Sequence, residues 1–410
     1  MDLIKPVIVI PAYSRAQSLA RLLKSVGDAD YPEVVKLFIS LEGEASADVK
    51  RVAFEFSSPK LLIEVIERPK RLGLRNHILA CGDLASEFGA VIVLEDDLLV
   101  DRYFYHYAVA ALRHHSDEAS IAGVALYAPE YNDYAGLPFK PMGNGYSTYP
   151  MQVPCSWGQC WTAMQWRQFR NWYADATSAT VLDTAGLPSA VKSWPESSWK
   201  KYFAAYLVQT NRYFIYPYQA YTTNCADPGG THVISGSDVY QVSFASQSRT
   251  LPETFFCPLT DPDVSYDAFM EPCGSDVYRQ LGLNRNEVEI DTLGIKPVAL
   301  LNQKTYALTC RPASNSIRQY PRSFRPIEHN FLHPIKSAEQ NVLSLTKSLH
   351  VTHTHVYKRS LEEHSYFAGI NIGSWLIARE IIQALPKLIY MRVAQRIKNK
   401  RQSAAGVNGK

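Results

Sequence analysis

The chain has 410 residues, 46% hydrophobic and 20% charged, so it can bury a large core and is not a disordered polymer. Its net charge of +3 is unevenly placed: after Glu380 there are seven basic residues and no acid, so the body is mildly acidic and is no general nucleic-acid binder. The seven cysteines are spread without a disulfide framework or paired zinc spacing and are read as reduced packing residues.

Residues 6–11, "PVIVIP", predict a buried parallel strand that begins almost at the N-terminus, with no signal-peptide layout before it. In "SLARLLKSV", Leu19, Leu22, Leu23 and Val26 recur at helical spacing. "VVKLFISLEG" and "KLLIEVIERP" predict second and third strands, "RNHILACGDLASEF" a helix, and "AVIVLEDD" a fourth strand. This alternation predicts an α/β fold around a doubly wound, mostly parallel sheet with right-handed crossovers. Ligands bind such sheets beyond the carboxyl ends of the strands. Arg15, Glu42 and the acids Glu95, Asp96 and Asp97 all follow strand ends, so they are expected to converge on one crevice.

The middle of the chain, from about 120 to 235, is rich in tryptophan, tyrosine and proline and is less periodic. "SWGQCWTAMQWRQFRNWY" predicts a loop that becomes a helix near Trp161, and "SSWKKYFAAYLVQTN" a second helix. "YFIYPYQAYTTN" predicts a strand running into the loop "CADPGGTH". Residues 241–355 carry more proline and few patterns and are expected to form an extended appendage. The histidines of "HVTHTH" at 350–355 have no cysteine or acid beside them and read as a solvated run. No apolar stretch of about 18 residues exists to span a bilayer. Residues 356–410 instead predict an amphipathic helical tail, punctured by Arg379, Glu380 and Pro386, whose basic end would meet anionic headgroups at a membrane surface. The alternative is a terminal helix docking on the body or a partner.

Three successive acids, Glu95–Asp97, repel one another unless they are solvated or share a cation. A hard divalent ion such as Mg²⁺ or Mn²⁺ takes one or two carboxylates together with substrate phosphates. The neighbours favour that reading: Pro11, Tyr13 and Arg15 end the first strand, and Glu42 can accept from a base or ribose. Arg71, Gly73 and Arg75 form a basic corner for phosphate. Trp157 and Trp161 either fill the core or stack on a sugar. His232, beside Gly229 and Gly230, either ligates a metal, binds phosphate or caps its loop.

The order of "PAYSR", "SLEG", "LGLRN" and "LEDD" resembles the GT-A class of nucleotide-sugar glycosyltransferases, in particular N-acetylglucosaminyltransferase I and bacterial polysaccharide glycosyltransferases. The likeness spans about residues 5–235 and weakens towards 330. It implies that Asp97 coordinates the metal and that Glu95 and Asp96 lie against the donor, with Arg15 and Glu42 on phosphate or base. It also implies that "SWGQCW", with Trp157 and Gly158, forms an acceptor-side loop, and that the "TH" ending at His232 closes over the donor. Residues 1–120 would then be the nucleotide-sugar half and 121–240 the acceptor half. One departure stands out: where the family places a general base, directly after the second tryptophan of "WPESSW", this chain has Lys200. Glu196 and then Asp227 are the substitutes, and retention of configuration stays open.

The expected activity is metal-dependent transfer of a sugar, from a UDP-type donor, to a hydroxyl of a glycan acceptor that is lipid-linked or membrane-held. The setting expected from the resemblance and the tail is bacterial surface polysaccharide synthesis, in the cytoplasm at the inner face of the cell membrane. The rivals are a sugar nucleotidyltransferase, whose glycine-rich signature "PAYSRAQS" lacks, and a glycan-binding module that has lost catalysis.

Overall fold

The computed structural model describes residues 4–227, 239–243, 250–322, 324–332, 342–352 and 385–386. The chain divides into two compact units, residues 1–356 and 357–410. Nearly all of the predicted tail, and also His232, His353 and His355, lie outside the described residues. No described helix is long and apolar enough to cross a membrane.

In the first unit β1 (Val7–Ala12) leads to α1 (Ala16–Asp28), and β2 (Val35–Leu41) leads to α2 (Ala47–Glu55). Next, β3 (Leu61–Glu67) leads to α3 (Gly73–Gly82) and α4 (Leu84–Phe88), which together replace the single predicted helix. The chain continues through β4 (Ala90–Val93), β5 (Leu98–Val100), α5 (Phe104–His114) and β6 (Ile121–Ala125). Then follow a hairpin of β7 (Tyr131–Asn132) and β8 (Leu137–Pro138), β9 (Thr148–Met151), β10 (Gln159–Thr162) and α6 (Ala163–Ala174). The helices α7 (Ser178–Asp183), α8 (Ser189–Lys192) and α9 (Trp199–Gln209) precede β11 (Tyr213–Pro217) and β12 (Thr222–Asn224).

Eight of these strands make one sheet in the order β3-β2-β1-β4-β10-β6-β11-β9. The first four are parallel, β10 is antiparallel to both its neighbours, β11 is parallel to β6, and β9 runs antiparallel at the edge. The central strands β1 and β4 are buried throughout, as expected where a parallel sheet is covered on both faces. At the other edge, β3 has Leu61 buried and Leu62 exposed. One face packs Ile8, Ile10 and Ile92 against the apolar stripe of α1 (Leu19, Leu22, Leu23, Val26) and against α5. The opposite face packs Val7, Val9, Val91 and Val93 with aromatics of α6 and α9, among them Trp166, Phe169 and Phe203.

The segment expected to be a loop before Trp161 is in fact a central strand, β10, whose residues Gln159–Thr162 pair antiparallel with β4. Only four residues long, it ends at Thr162, which caps α6 through a reciprocal pair of bonds with Gln165. Trp161 is fully buried against Trp166, Trp199 and Phe203, so of its two readings the core one holds.

The extended appendage expected at 241–355 gives way to a small folded layer. It holds α10 (Ser275–Leu281), β13 (Val288–Asp291), α11 (Val298–Leu301), β14 (Tyr306–Thr309), β15 (Arg318–Pro321), α12 (His329–Leu332) and β16 (Val342–Lys347), with strand order β13-β14-β16-β15. Val277, Leu281, Ile290, Leu308 and Phe331 form its core. Beside that core, Arg311 pairs with Asp291 at 2.8 Å and Lys296 pairs with Glu289 at 2.5 Å, all four largely buried. Buried ion pairs interrupt the apolar runs by which strands are recognised, which is why this layer reads as patternless.

The two tryptophans give a test of the packing. Trp161→Ala should cost about 3–5 kcal/mol in chemical denaturation, the range for emptying a buried aromatic site. Trp157→Ala, at a partly exposed position, should cost about 1 kcal/mol or less.

Candidate active site

Chain order reverses between β1 and β4: β1 continues to β2 on one side, and β4 lies on the other. The carboxyl ends of these two strands therefore open on the crevice where such sheets bind ligands. Arg15 leaves the end of β1 as the residue before α1, and Glu95–Asp97 turn out of β4 into β5. The turn is pinned from behind, where β12 pairs with β5 and the Cys225 amide donates to the Asp97 carbonyl at 2.8 Å.

The two strand ends meet in an ion cluster. The Arg15 guanidinium donates through Nη1 to Asp97 Oδ2 at 2.9 Å, through Nε to Asp96 Oδ2 at 3.3 Å, and through Nη2 to Asp96 Oδ1. Burial pulls the Arg15 pKa down, but the two carboxylates outweigh it and the net shift is upward. Burial pushes Asp96 up to about 6 against the pull of Arg15. Glu95 is pushed up to about 8 by burial and then by Asp97 and Asp96, while Arg15 and Lys200 act in the other direction. The resemblance implies Arg15 on phosphate or base; here it bridges the acids, because two adjacent carboxylates at a buried strand end need a counter-charge.

Glu42 is placed differently from expectation too. Its buried carboxylate accepts from the backbone N–H groups of Gly43 at 2.9 Å, Leu72 at 2.8 Å and Gly73 at 2.8 Å, so it anchors the basic corner from beneath. Gly43 lets that corner approach: a Cβ there would lie 2.1 Å from the Lys70 carbonyl carbon. His77 closes the anchor, with Nε2 2.9 Å from Ser40 Oγ and Nδ1 3.8 Å from Glu42. Above it, Arg71 lies over the Tyr13 ring at 5.0 Å, and Arg75 lies over the Tyr202 ring at 5.1 Å. Pro11 lies within β1, buried and paired opposite Ser40.

On the far side Trp157 is partly exposed, packed edge-on to Tyr127 and beside Tyr240. Gly158 sets its direction. It has φ +92°, and a Cβ there would press on Thr222 and Leu126. Thr222 in turn donates to the Trp157 carbonyl at 2.6 Å. Ser198 caps α9, so Trp199, Lys200 and Lys201 make its first turn. Lys200 lies over the rings of Trp157 and Trp194, 5.5 Å and 5.7 Å from their centres, and its charge acts on Glu95.

Neither substitute base is free. Glu196 receives hydrogen bonds from Lys201 (2.6 Å), Ser178 (2.6 Å) and Tyr202 (2.5 Å). Burial would raise its pKa, but these donors outweigh that and hold it at about 2, too low for a useful proton acceptor. Asp227 is clamped to α1 by Ser18 at 2.6 Å and by Arg21, and its pKa is likewise lowered although burial opposes this. The Arg21 clamp and the Trp194 wall had no signal in the sequence, since both depend on elements remote in the chain.

Among the described residues no group of three or more His, Cys, Asp or Glu side chains forms a metal cage. A site built on one or two carboxylates and completed by substrate phosphates needs none. Asp97 fits such a site: its Oδ1 is buried with no hydrogen-bond partner among the described residues, on a side chain whose other oxygen already faces a cation.

Residues 7–165 match the model of glycosyl transferase family 2, the stretch from β1 through β10 into α6. That match and the sheet define the class: a glycosyltransferase domain of GT-A type. Among curated proteins no relative matches the chain. Similar solved structures include TarS 1–349 of S. aureus, 14% identical, with 53% of this chain covering 59% of that one at a TM-score of 0.34. A mannosyltransferase of Pyrobaculum calidifontis in complex with GDP-Man and Mn²⁺ is 14% identical, covering 56% of this chain and 59% of that one at a TM-score of 0.36. GalNAc-T7 with UDP, GalNAc and Mn²⁺ is 13% identical, covering 53% and 43% at a TM-score of 0.36. The chain spans about three-fifths or less of the length of these structures.

Two outcomes follow from the anchor. Glu42→Ala leaves three backbone donors without their carboxylate and should lower stability by about 2–4 kcal/mol in chemical denaturation. Burial pushes His77 down to about 4. As pH falls from about 6.5 towards 4 the unfolded chain gains this proton first and the fold loses stability. Wild type should therefore lose stability relative to His77→Gln over that window, and the two should run parallel above pH 7.

Proposed function

We propose that this protein moves a sugar from a nucleoside diphosphate donor, UDP-linked in preference to GDP-linked, to a hydroxyl of a glycan acceptor. The observation that carries the reading is the Asp96–Asp97 pair at the sheet switch point, with a guanidinium on one side and, on the other, a buried Asp97 oxygen that has no partner among the described residues.

Asp97 would hold a divalent Mn²⁺ or Mg²⁺ ion, with Asp96 beside it. Bound there, the ion supplies positive charge against the leaving diphosphate. Arg71 and Arg75, neither in an ion pair among the described residues, add charge on the phosphate side; Tyr13, under Arg71, offers a face to the base. Trp157 offers an apolar face to a sugar, and Gly158 fixes its direction. His232 would close over the donor. The Glu95 carboxylate accepts no hydrogen bond from a described residue and lies within the field of Lys200, and burial raises its pKa. In an inverting transfer it would take the acceptor proton as the carboxylate, the form that Lys200 and a cation at Asp97 would favour. We place the activity in bacterial surface polysaccharide assembly on a lipid-linked or membrane-held acceptor. The basic C-terminal tail would hold the enzyme at the inner face of the cell membrane.

A second reading has its own support. Arg15 already meets both acids, and Lys200 stands where the family has a base, as in a module that binds glycans without transferring them. Thermal melting separates the two. The transferase predicts that UDP raises the melting temperature in Mn²⁺ far more than without the ion, and that Asp97→Ala abolishes the difference. Stabilisation by glycans but by no nucleotide, with or without the ion, would favour the module.

A further inference from the structure

Lys200 is an awkward residue in its setting. It lies in the first turn of α9, where the helix dipole disfavours a cation. Its neighbour Lys201 answers the same problem by burial against Glu196 at 2.6 Å and the Trp194 carbonyl at 3.0 Å. Lys200 has no such arrangement: among the described residues no carboxylate lies within ion-pair distance of it. The ammonium lies over two indole rings instead, those of Trp157 and Trp194, and cation–π contacts of this kind orient a charge without neutralising it. The result is a fixed positive charge on the acceptor side of the crevice, beside the one tryptophan of "SWGQCW" that reaches the surface.

We infer that Trp157, Trp194 and Lys200 form an anion subsite, and that the acceptor is a glycan bearing a carboxylate or phosphate next to the hydroxyl that is glycosylated. The inference rests on the transferase reading above. An aromatic face suits a sugar ring, and the ammonium suits a charged substituent on that ring at the distance of one side chain. A neutral acceptor would gain nothing from the lysine, whose charge is felt by Glu95 but is not ion-paired with it.

The test compares transfer to methyl glucuronide, methyl glucoside 6-phosphate and methyl glucoside, with saturation-transfer NMR of the same three saccharides. In the wild type, kcat/KM for at least one charged acceptor should exceed that for the glucoside, and which one does so distinguishes carboxylate from phosphate. Lys200→Ala should lower the charged-to-neutral ratio at least tenfold, Lys200→Arg should keep it within threefold, and Lys200→Glu should invert it. A lysine that acts only by tuning Glu95 would change all three acceptors together and leave the ratio fixed, which overturns the proposal. So does a wild type without preference for charge in either transfer or binding. Lys200-dependent binding of a charged saccharide without transfer to any acceptor would instead overturn the transferase reading and leave the subsite standing.

Discussion

Two carboxylates in succession at the end of a buried strand cannot stand alone, and Arg15 answers them from the end of the adjacent strand. This one ion cluster ties β1 to β4 at the point where the order of the sheet reverses. It also fixes what the crevice can do. Asp97 presents one oxygen to the guanidinium and leaves the other buried with no partner among the described residues, an arrangement that costs stability unless a ligand draws on it. Glu95 and Asp96 feel the same crowding as upward pKa shifts.

The remaining walls are built around that cluster by residues whose chemistry is structural. Glu42, Gly43 and His77 hold the 70–73 loop down so that Arg71 and Arg75 can stand over tyrosine rings. Glu196 with Lys201, and Asp227 with Arg21, are ion pairs that brace α9 and α1. A carboxylate near a crevice is thus more often part of its frame than of its chemistry. The acids that differ are those of the 95–97 turn, where burial and mutual repulsion are not fully answered by protein donors.

The first hundred residues were legible because each strand is a short β-branched run and each helix carries an apolar stripe. The meeting of Arg15 with Asp96 and Asp97 is legible from their places just after the ends of predicted strands. Two features were not legible. The strand β10 is four residues long and sits between a glycine and a capping box, so its sheet pairing, not its composition, makes it a strand. The small layer beyond residue 270 buries ion pairs in its core and hides its periodicity. The partners of Glu42, Glu196 and Asp227 (Leu72 and Gly73, Ser178, and Arg21) are brought in by folding, and no local pattern announces them.

The central claim is that the buried oxygen of Asp97 binds a divalent ion shared with a nucleoside diphosphate. Electron paramagnetic resonance of Mn²⁺ titrated into the protein reads this directly, because free and bound ion have different spectra. The account predicts one bound Mn²⁺ per chain when UDP is present, weak binding without it, and loss of both in Asp97→Asn. Mn²⁺ that stays free in the presence of UDP, or that binds equally well to the Asp97→Asn protein, would contradict it.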